Sequence, residues 1–406
     1  MKKVGLMINS ISKGGAERVV SILSESLALD YEVFMILMDT SDMAYTVKGT
    51  LIDLSIPHRD SLIGKTVNIF KHLRLIKAAK KAHQLDIVIS FLDIPNLFNI
   101  FSSTRDCATV ISIRNYQVTS SKGSFYTALL STLCRLFYPL ADTVIAVSQV
   151  IAQHTLATTA LDPKKLAVIA NPYRFDKILK QAGLVPDQMI PFDQDTIIFC
   201  SVGRMQKQKG TWHLIKAFKI VHDHCPKTRL ILIGQDHSQG KIDTLIKALG
   251  LSAVIDRPGL IDNPFALIAR SDVYVLSSLS EGFPNAMVEA MVCGIPVIAA
   301  DCRSGPREIL SPDSAIDKVC TVIEKATYGI LTAPFNQDEN WDPAFIDPSE
   351  ELLASAMIDL AEHPKLRAHY AQAARNRAAD FSVEASTRAY TAVIETLTHP
   401  VGGSHD

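Results

Sequence analysis

Two glutamates, Glu281 and Glu289, flank a helix start in the run Ser280-Glu281-Gly282-Phe283-Pro284-Asn285-Ala286-Met287-Val288-Glu289-Ala290-Met291-Val292-Cys293-Gly294-Ile295-Pro296-Val297. Pro284 suits the first helical turn, Ala286 to Val292 is good helix-forming sequence, and Gly294 with Pro296 ends the helix and leads into an apolar strand. Glu281 then falls in the loop before the helix and Glu289 on its second turn. Backbone N–H groups at such a start, and the positive end of the helix dipole, attract phosphate. The pattern is a seat for a phosphate-bearing group with an acid on either side.

Two further stretches have the same flavour. Val202-Gly203-Arg204-Met205-Gln206-Lys207-Gln208-Lys209-Gly210 follows the apolar run Ile197 to Val202 and places the cations Arg204 and Lys209 where a strand gives way to a helix, although a solvated basic loop would look alike. Gly14-Gly15-Ala16-Glu17-Arg18 follows the first strand pattern and opens the first helix, so its glycines let backbone approach a phosphate; a tight turn without a ligand has the same appearance. The stretch lacks the G-x-G-x-x-G of a nicotinamide site, which counts against a dehydrogenase. Asp193-Gln194-Asp195, the D-x-D of the chain, lies in a presumed linker and reads as a solvated loop rather than a metal site.

The run from Ser280 to Val297 resembles the E-x7-E signature of the retaining GT-B glycosyltransferases, in particular glycosyltransferase family 4. The glycine pair, the Arg204–Lys209 stretch and Ser304-Gly305-Pro306-Arg307-Glu308-Ile309-Leu310 resemble the same family in the same order. The resemblance implies an α/β GT-B fold, two doubly wound Rossmann-like domains with the active site in the interdomain cleft. It implies transfer, with retention, of a hexose or N-acetylhexosamine from a nucleotide-diphosphate sugar, UDP being expected, to a polyprenyl-diphosphate-linked glycan in bacterial polysaccharide or glycoconjugate assembly. Gly14 and Gly15 would face the donor diphosphate and the acceptor, and Arg204 and Lys209, beside Gly203, would neutralise that diphosphate. A nucleotide diphosphate leaves well only when its growing charge is stabilised, and this fold usually does so with side chains and helix dipoles, so neither a cofactor nor a metal is implied. Glu289 would bond the ribose hydroxyls, while Glu281 with Gly282, Phe283, Pro284 and Asn285 would hold the sugar and support charge at its anomeric centre. Pro258-Gly259-Leu260 resembles the family's loop against the nucleotide base, and Asn171-Pro172 its Asn-Pro at the end of the first domain; both pairs are also strong turn formers.

One departure stands out. Many family members carry a His in the first domain that contacts the donor sugar, and here Ser90-Phe91-Leu92-Asp93-Ile94-Pro95-Asn96 has none. The S-F-x-x-x-x-N pattern, with Arg114-Asn115 after the next strand, resembles the subgroup that builds lipid-linked oligosaccharides and exopolysaccharide repeats, which implies that Asp93, Asn96, Arg114 and Asn115 line the acceptor side; each could equally cap a loop. Residues 311–328 read as an insertion able to touch the acceptor.

What must position these residues is legible in the alternation of apolar runs and helical patterns. Val4 to Ile8, Tyr31 to Met38, Ile87 to Phe91, Thr109 to Ile113, Thr143 to Val147 and Leu166 to Ile169 read as strands, with helices near Ala16 to Leu29 and Val67 to Ala82. A second series has strands near Ile197 to Val202, Arg229 to Ile233, Val273 to Leu276 and Val297 to Ala300. At 406 residues two domains are expected. They are placed at 1–185 and 186–380, with a linker near 172–195 and a helix at about 380–398 able to pack back on the first domain. Seven cysteines without a C-x-x-C pair read as buried thiols in a reducing compartment. Met1-Lys2-Lys3 leads straight into a strand and no window is apolar enough to span a bilayer, so neither a signal peptide nor a membrane span is expected.

Residues 1–170 carry 18 Lys and Arg against 13 Asp and Glu, so the first half is basic. From Leu62 to Leu85 there is no acid; Lys71, Arg74, Lys77 and Lys81 fall on one side of a helix and Ile69, Leu73, Ile76 and Ala79 on the other. Ser124 to Leu130 and Leu136-Phe137-Tyr138 are rich in aromatic and aliphatic residues. An ordinary surface helix and a core segment are the plain readings; the alternative is a cytoplasmic protein held peripherally on the inner face of the membrane, near a lipid-anchored acceptor. No nucleic-acid partner is expected. Two other functions remain open: a sugar-nucleotide epimerase of the same architecture, and an inactive nucleotide-sugar-binding subunit.

Overall fold

Near-continuous apolar runs such as Ile87-Val88-Ile89-Ser90-Phe91, each residue fully buried, form strands covered on both faces, as parallel sheets require. The computed structural model describes residues 1–12, 14–57, 61–114, 125–186, 193 and 195–398. Along the chain run β1 (Lys3–Ile8), α1 (Gly15–Leu27), β2 (Glu32–Leu37), β3 (Thr50–Asp53), α2 (Leu62–Ala82), β4 (Ile87–Phe91), α3 (Asp93–Phe101), β5 (Ala108–Ile113), α4 (Phe125–Phe137), β6 (Thr143–Ala146), α5 (Gln149–Thr158) and β7 (Leu166–Val168). Next come α6 (Phe175–Ala182), β8 (Ile197–Val202), α7 (Thr211–His224), β9 (Thr228–Ile233), α8 (Lys241–Ala248), β10 (Ile255–Gly259), α9 (Phe265–Ile268), β11 (Val273–Leu276), α10 (Asn285–Val292), β12 (Val297–Ala300) and α11 (Pro306–Leu310). The chain continues through β13 (Glu324–Lys325), β14 (Ile330–Thr332), α12 (Pro348–Glu362), α13 (Pro364–Ala378) and α14 (Val383–Thr398).

The chain forms two doubly wound units. In the first, the described strands lie in the order β3-β2-β1-β4-β5-β6-β7, all parallel; in the second the order is β10-β9-β8-β11-β12-β14-β13, with β13 alone antiparallel to its neighbour. Strand order reverses at β1/β4 and at β8/β11, and in open α/β sheets ligands bind at the carboxyl ends of strands at such a reversal. Gly14-Gly15 follow β1 and the Arg204–Lys209 loop follows β8, so each motif sits at the reversal point of its own sheet.

Unit one is Met1–Tyr173 together with the chain from Phe381 onward, and unit two is Arg174–Asp380. The boundary thus falls earlier than the expected 185. The reason is α6, which packs on α9 and α10 and whose Gln181 carbonyl accepts a 2.9 Å hydrogen bond from Asn263 Nδ2. Helix α14 belongs to the first unit: Tyr390 and Ile394 are fully buried in a core shared with Val4, Leu6, Ile87 and Ile145, and Glu395 bonds Tyr31 Oη at 2.7 Å. In the second unit His213 of α7 and Glu350 of α12 form a buried pair, Nδ1 to Oε1 2.6 Å, with the imidazole stacked on Phe335 at 4.3 Å. Pro258 and Gly259 end β10 instead of forming a loop, a correction to the turn expected there; the strand tolerates the proline because its register shifts between Asp256 and Gly259.

Candidate active site

Helix α10 begins at Asn285 with Pro284 as its cap residue, and no side chain caps it; Met287 N–H bonds Pro284 O at 3.0 Å. It ends as Gly294 adopts a φ of +76°; Gly294 N–H bonds Met291 O at 2.9 Å and Ile295 N–H bonds Ala290 O at 3.0 Å, which closes the last turn and points the chain into β12. Glu281 and Glu289 are both buried, at 7% and 5% exposure. Buried carboxylates need partners, and Glu281 has two: Oε1 lies 2.7 Å from Lys209 Nζ and accepts a 2.6 Å bond from Ser278 Oγ.

Lys209 reaches Glu281 because several contacts hold its loop. Gly210 turns the chain into α7 at φ +56°, and a β-carbon there would clash with the Ser277 carbonyl. Ser277 Oγ donates to Lys209 O at 2.9 Å, Leu279 N–H donates to Gln208 O at 2.8 Å, and Gln208 Nε2 donates to Ser280 O at 2.8 Å. The Lys209 stem lies over Gly203, where a β-carbon would meet Cε at 3.1 Å. Together Gly203, Lys209, Ser277 and Ser278 line a hollow of about 20 Å³. Arg204 is exposed on the same loop, and its side chain bonds to no described residue.

A second segment buttresses Glu281 from below. Glu281 N–H donates to Arg303 O at 3.2 Å, Ser304 Oγ donates to Gly282 O at 2.8 Å, and Gly305, at φ +97°, packs so closely on Pro284 that a β-carbon would clash. Arg307, at 5% exposure, then bonds Asp301 Oδ2 at 2.6 Å and Glu324 Oε2 at 3.2 Å. Asp301 also accepts Cys320 N–H at 2.7 Å. The Ser304–Leu310 stretch therefore joins the glutamate loop to residues 311–328, an ordered structural role for both. Burial would raise the Glu324 carboxyl, but hydrogen bonds from Lys318 and Arg307 outweigh it and hold it at about 2. The charges of Glu281 and Glu289 also reach inward: the Tyr274 phenol is pushed well up, first by burial and then by Cys200 and the two glutamates. The Cys293 thiol is pushed up to about 12 by burial and by Glu289.

In the first unit, Gly14 is the extended cap residue of α1, with no side-chain cap. The Glu17 carboxylate folds over it so closely that a β-carbon on Gly14 would clash. The acceptor-side residues fare differently. Asn96 is fully buried, accepts from Ser90 Oγ at 2.8 Å and donates to Ser112 O at 3.0 Å; it ties α3 to β4 and β5, and has no surface to offer an acceptor. Arg114 donates to Asn171 Oδ1 and, at 2.9 Å, to Tyr390 Oη, with its guanidinium 5.0 Å from the Phe91 ring centroid, so it fastens α14 to the sheet. Both expectations are corrected: these side chains are consumed by the fold. Asp93 is half-buried in the first turn of α3 and accepts Tyr138 Oη at 2.7 Å. Asn115 lies outside the described residues.

Sequence reasoning passed over Ser277, Ser278 and Arg303, and it named Ser304-Gly305 without assigning a direct role. The small-residue pair at the carboxyl end of β11, beside the strand-order reversal, was the available signal. Among the described residues one group of three could share a cation, His224, Cys225 and Glu362, with ligand atoms within 4.8 Å of one another; it lies at the far end of α7 from Gly210.

Comparison with known proteins agrees with this geometry. Residues 13–177 match the family model Glycosyltransferase Family 4, and residues 187–330 match Glycosyl transferases group 1. The chain is similar to an uncharacterized glycosyltransferase of Methanocaldococcus jannaschii, 32% identical across 80% of this chain and 82% of that one. It is also similar to the N-acetylgalactosamine-N,N'-diacetylbacillosaminyl-diphospho-undecaprenol 4-alpha-N-acetylgalactosaminyltransferase of Campylobacter jejuni, 26% identical across 94% and 96% of the two chains. In fold it resembles the crystal structure of Anabaena HepE in complex with UDP and glucose, with a TM-score of 0.72 and 18% identity over 98% of this chain and all of that one.

Proposed function

The chain belongs to glycosyltransferase family 4 and has the GT-B fold, and from that premise we propose that it moves a hexose or N-acetylhexosamine from a UDP-sugar to a polyprenyl-diphosphate-linked glycan, with retention and without a metal. The observation that carries this reading is the Lys209–Glu281 pair at the β8/β11 reversal, beside the uncapped start of α10. A donor diphosphate is the partner this arrangement awaits. Its oxygens take the α10 N-terminus and the Lys209 ammonium, and Arg204 adds a second cation. Glu289 accepts the ribose hydroxyls. Glu281, released from Lys209, holds sugar hydroxyls and supports positive charge at the anomeric carbon.

The displacement then runs on the face from which UDP departs. The anomeric carbon–phosphate oxygen bond breaks, Lys209 and Arg204 stabilise the charge growing on the diphosphate, the acceptor hydroxyl bonds to the oxocarbenium-like carbon from the same side, and its proton passes to the departing phosphate oxygen. Trapping a covalent glycosyl-enzyme would overturn this route. The undecaprenol-linked acceptor of the Campylobacter relative supports the acceptor class, and the UDP held by Anabaena HepE supports the base.

A lipid-anchored acceptor calls for a membrane-facing surface. Along α2, Val67, Ile69 and Phe70 are exposed, Phe70 by 63%, beside exposed Lys71, Arg74 and Lys77; Leu129 and Leu136 of α4 are exposed as well. Apolar side chains in a basic field suit the headgroup region of an anionic leaflet, and we place the protein peripherally on the cytoplasmic face. Among the described residues no helix is long and apolar enough to cross a membrane.

The test is UDP release from a panel of UDP-sugars, with and without a polyprenyl-diphosphate glycan. Acceptor-dependent release with a lengthened glycan is the expected result. Interconversion of the UDP-sugar without acceptor would establish the epimerase instead, and inertness toward every donor would leave only binding.

A further inference from the structure

A pocket of about 300 Å³ opens in the second unit beside the Arg204–Lys209 loop, toward α7 and α8. Gln206 and Lys207 of that loop, Trp212 of α7, His237 and Gln239 after β9, and Trp341 before α12 line it. Met205 and Thr211 belong both to this pocket and to the hollow at Lys209, so they form the wall between the two.

The pocket is built rather than incidental. Trp341 sits in a segment without regular structure, yet its Nε1 donates to Glu339 Oε2 at 3.1 Å, its ring lies 5.4 Å from that of Trp212, and Lys241 Nζ lies 5.6 Å from its centroid while bonding Glu339 at 3.2 Å. The Lys241–Glu339 pair cancels its own charge. Trp212 is 1% exposed, and its Nε1–H has no hydrogen-bond partner among the described residues, a donor whose burial unpaired costs about 1–3 kcal/mol. Tryptophan is the side chain with an apolar body and one polar tip, and it normally finds an acceptor when buried.

The contents of the wall select a ligand class. At about 300 Å³ the pocket is at the small end of ligand sites, which run from roughly 300 to 1,000 Å³, and has no long apolar channel for a lipid. A pyranose has an apolar C–H face and a rim of hydroxyls. Indole suits the first, and Gln206, Gln239, His237 and Lys207 offer the hydrogen bonds the second requires. A bare phosphate would use Lys207 and leave the half-buried Trp341 indole idle. We propose that this pocket is a second saccharide subsite, which takes a hexose or N-acetylhexosamine unit of a glycan across the Met205–Thr211 wall from the donor site; the choice of sugar as ligand rests on the transferase reading above. An occupant here touches Gln206 and Lys207 of the loop that also carries Arg204 and Lys209.

Trp212 and Trp341 are the two tryptophans of the chain, so indole fluorescence reports on this pocket. The full chain is titrated with the methyl glycosides of glucose, galactose, N-acetylglucosamine and N-acetylgalactosamine, with and without saturating UDP. A saturable change with at least one glycoside, its midpoint moved less than twofold by UDP, is expected. Saturation-transfer NMR should show that glycoside binding at least tenfold more weakly to Trp341→Ala and near normally to Trp341→Phe, with UDP affinity kept in both. Gln239→Ala, on an exposed turn, should weaken it severalfold if Trp341→Ala fails to fold. No response to any glycoside, a response abolished by UDP, or undiminished binding in a folded Trp341→Ala protein would overturn the subsite. Glycoside binding in a protein that turns over no UDP-sugar would support the subsite and overturn the transferase reading alone.

Discussion

Lys209 and Glu281, 72 residues apart, meet at 2.7 Å with the carboxylate buried and the ammonium one-quarter exposed. On the proposed reading each serves the other as a stand-in for a ligand, a phosphate oxygen for the lysine and a sugar hydroxyl for the glutamate. Lys209→Met leaves a buried carboxylate with Ser278 as its remaining side-chain partner and should destabilise the second unit by about 3 kcal/mol, since breaking one side of a buried pair is costly. Turnover should fall roughly 10²–10³-fold through loss of leaving-group stabilisation. The double variant Lys209→Met/Glu281→Gln should regain much of the stability and none of the turnover. Thermal unfolding beside UDP-release kinetics separates the two effects; a single variant within threefold of wild-type turnover would remove Lys209 from the mechanism.

Glu289 is assigned to binding more than to chemistry. Its substitution by Gln keeps the volume but weakens acceptance from two ribose hydroxyls, and charge-assisted bonds of this kind contribute about 1.5–3 kcal/mol. KM for the UDP-sugar and Kd for UDP should rise together by roughly ten- to hundredfold while kcat changes little. A variant with normal UDP affinity and depressed kcat would move Glu289 to the reacting centre.

How much of this was legible depended on whether a residue's partners are local. The glutamate helix could be read because cap, apolar stretch, Gly294 and the following strand occupy one continuous segment whose propensities agree. Reading the same surroundings by type failed for Asn96 and Arg114. A polar residue after a strand looks like a site, but these two bond Ser90, Ser112, Asn171 and Tyr390, up to 276 residues distant, and no spacing rule shows such closures. Pro258-Gly259 could be read as a turn because Pro-Gly is a strong turn former, and the register shift that accommodates it in a strand is invisible before pairing is known. Residues 311–328 had no pattern at all, because what orders them is charge: Arg307, Asp301, Lys318 and Glu324.

That charge cluster has its own consequence. Arg307→Ala strands Asp301 and Glu324, of which the first is 3% exposed, and should cost about 3–5 kcal/mol. The pH dependence carries the signature. Glu324 sits at about 2 in the native chain against an ordinary 4.5, so the unfolded chain takes up its proton first; the stabilisation is complete above about 4.5 and drains away as pH falls toward about 2. Urea unfolding from pH 6 down to 2.5 should therefore show the gap between wild type and Arg307→Ala narrowing steadily below pH 4.5. A constant gap would mean that Arg307 acts by packing alone.

Membrane binding can be divided between charge and apolar contact. Changing Lys71, Arg74, Lys77 and Lys81 to Glu should abolish sedimentation with anionic vesicles, each lost cation being worth about 1 kcal/mol near such a surface. Phe70→Ser should weaken binding to the same vesicles at high salt, where screening leaves the apolar contribution dominant. Wild-type protein that ignores anionic vesicles, or a four-fold Glu variant that binds them unchanged, would rule out α2 as the anchor.

Lys80 lies on the same helix and behaves in the opposite way from its exposed neighbours. It is 1% exposed, its Nζ donates to the Asn99 carbonyl at 3.0 Å, and no carboxylate among the described residues lies within ion-pair distance. Burial lowers it from 10.5 to about 8, with Cys107 and Asp142 opposing the shift and Lys77 reinforcing it. A lysine whose native value is depressed is a liability at neutral pH, where the charged form must stay buried. Between about 8 and 10.5 the native chain has released the proton that the unfolded chain still holds, so this contribution to stability grows with pH across that window and is complete above it. Lys80→Met fills the same space without charge and should stabilise the first unit at pH 7 by about 1 kcal/mol, as apolar replacement of buried charge commonly does. Its advantage over the wild type should shrink as pH rises from 8 toward 10. Equal stability at both ends of that range, measured by denaturant unfolding, would show that the Asn99 bond fully offsets the buried charge.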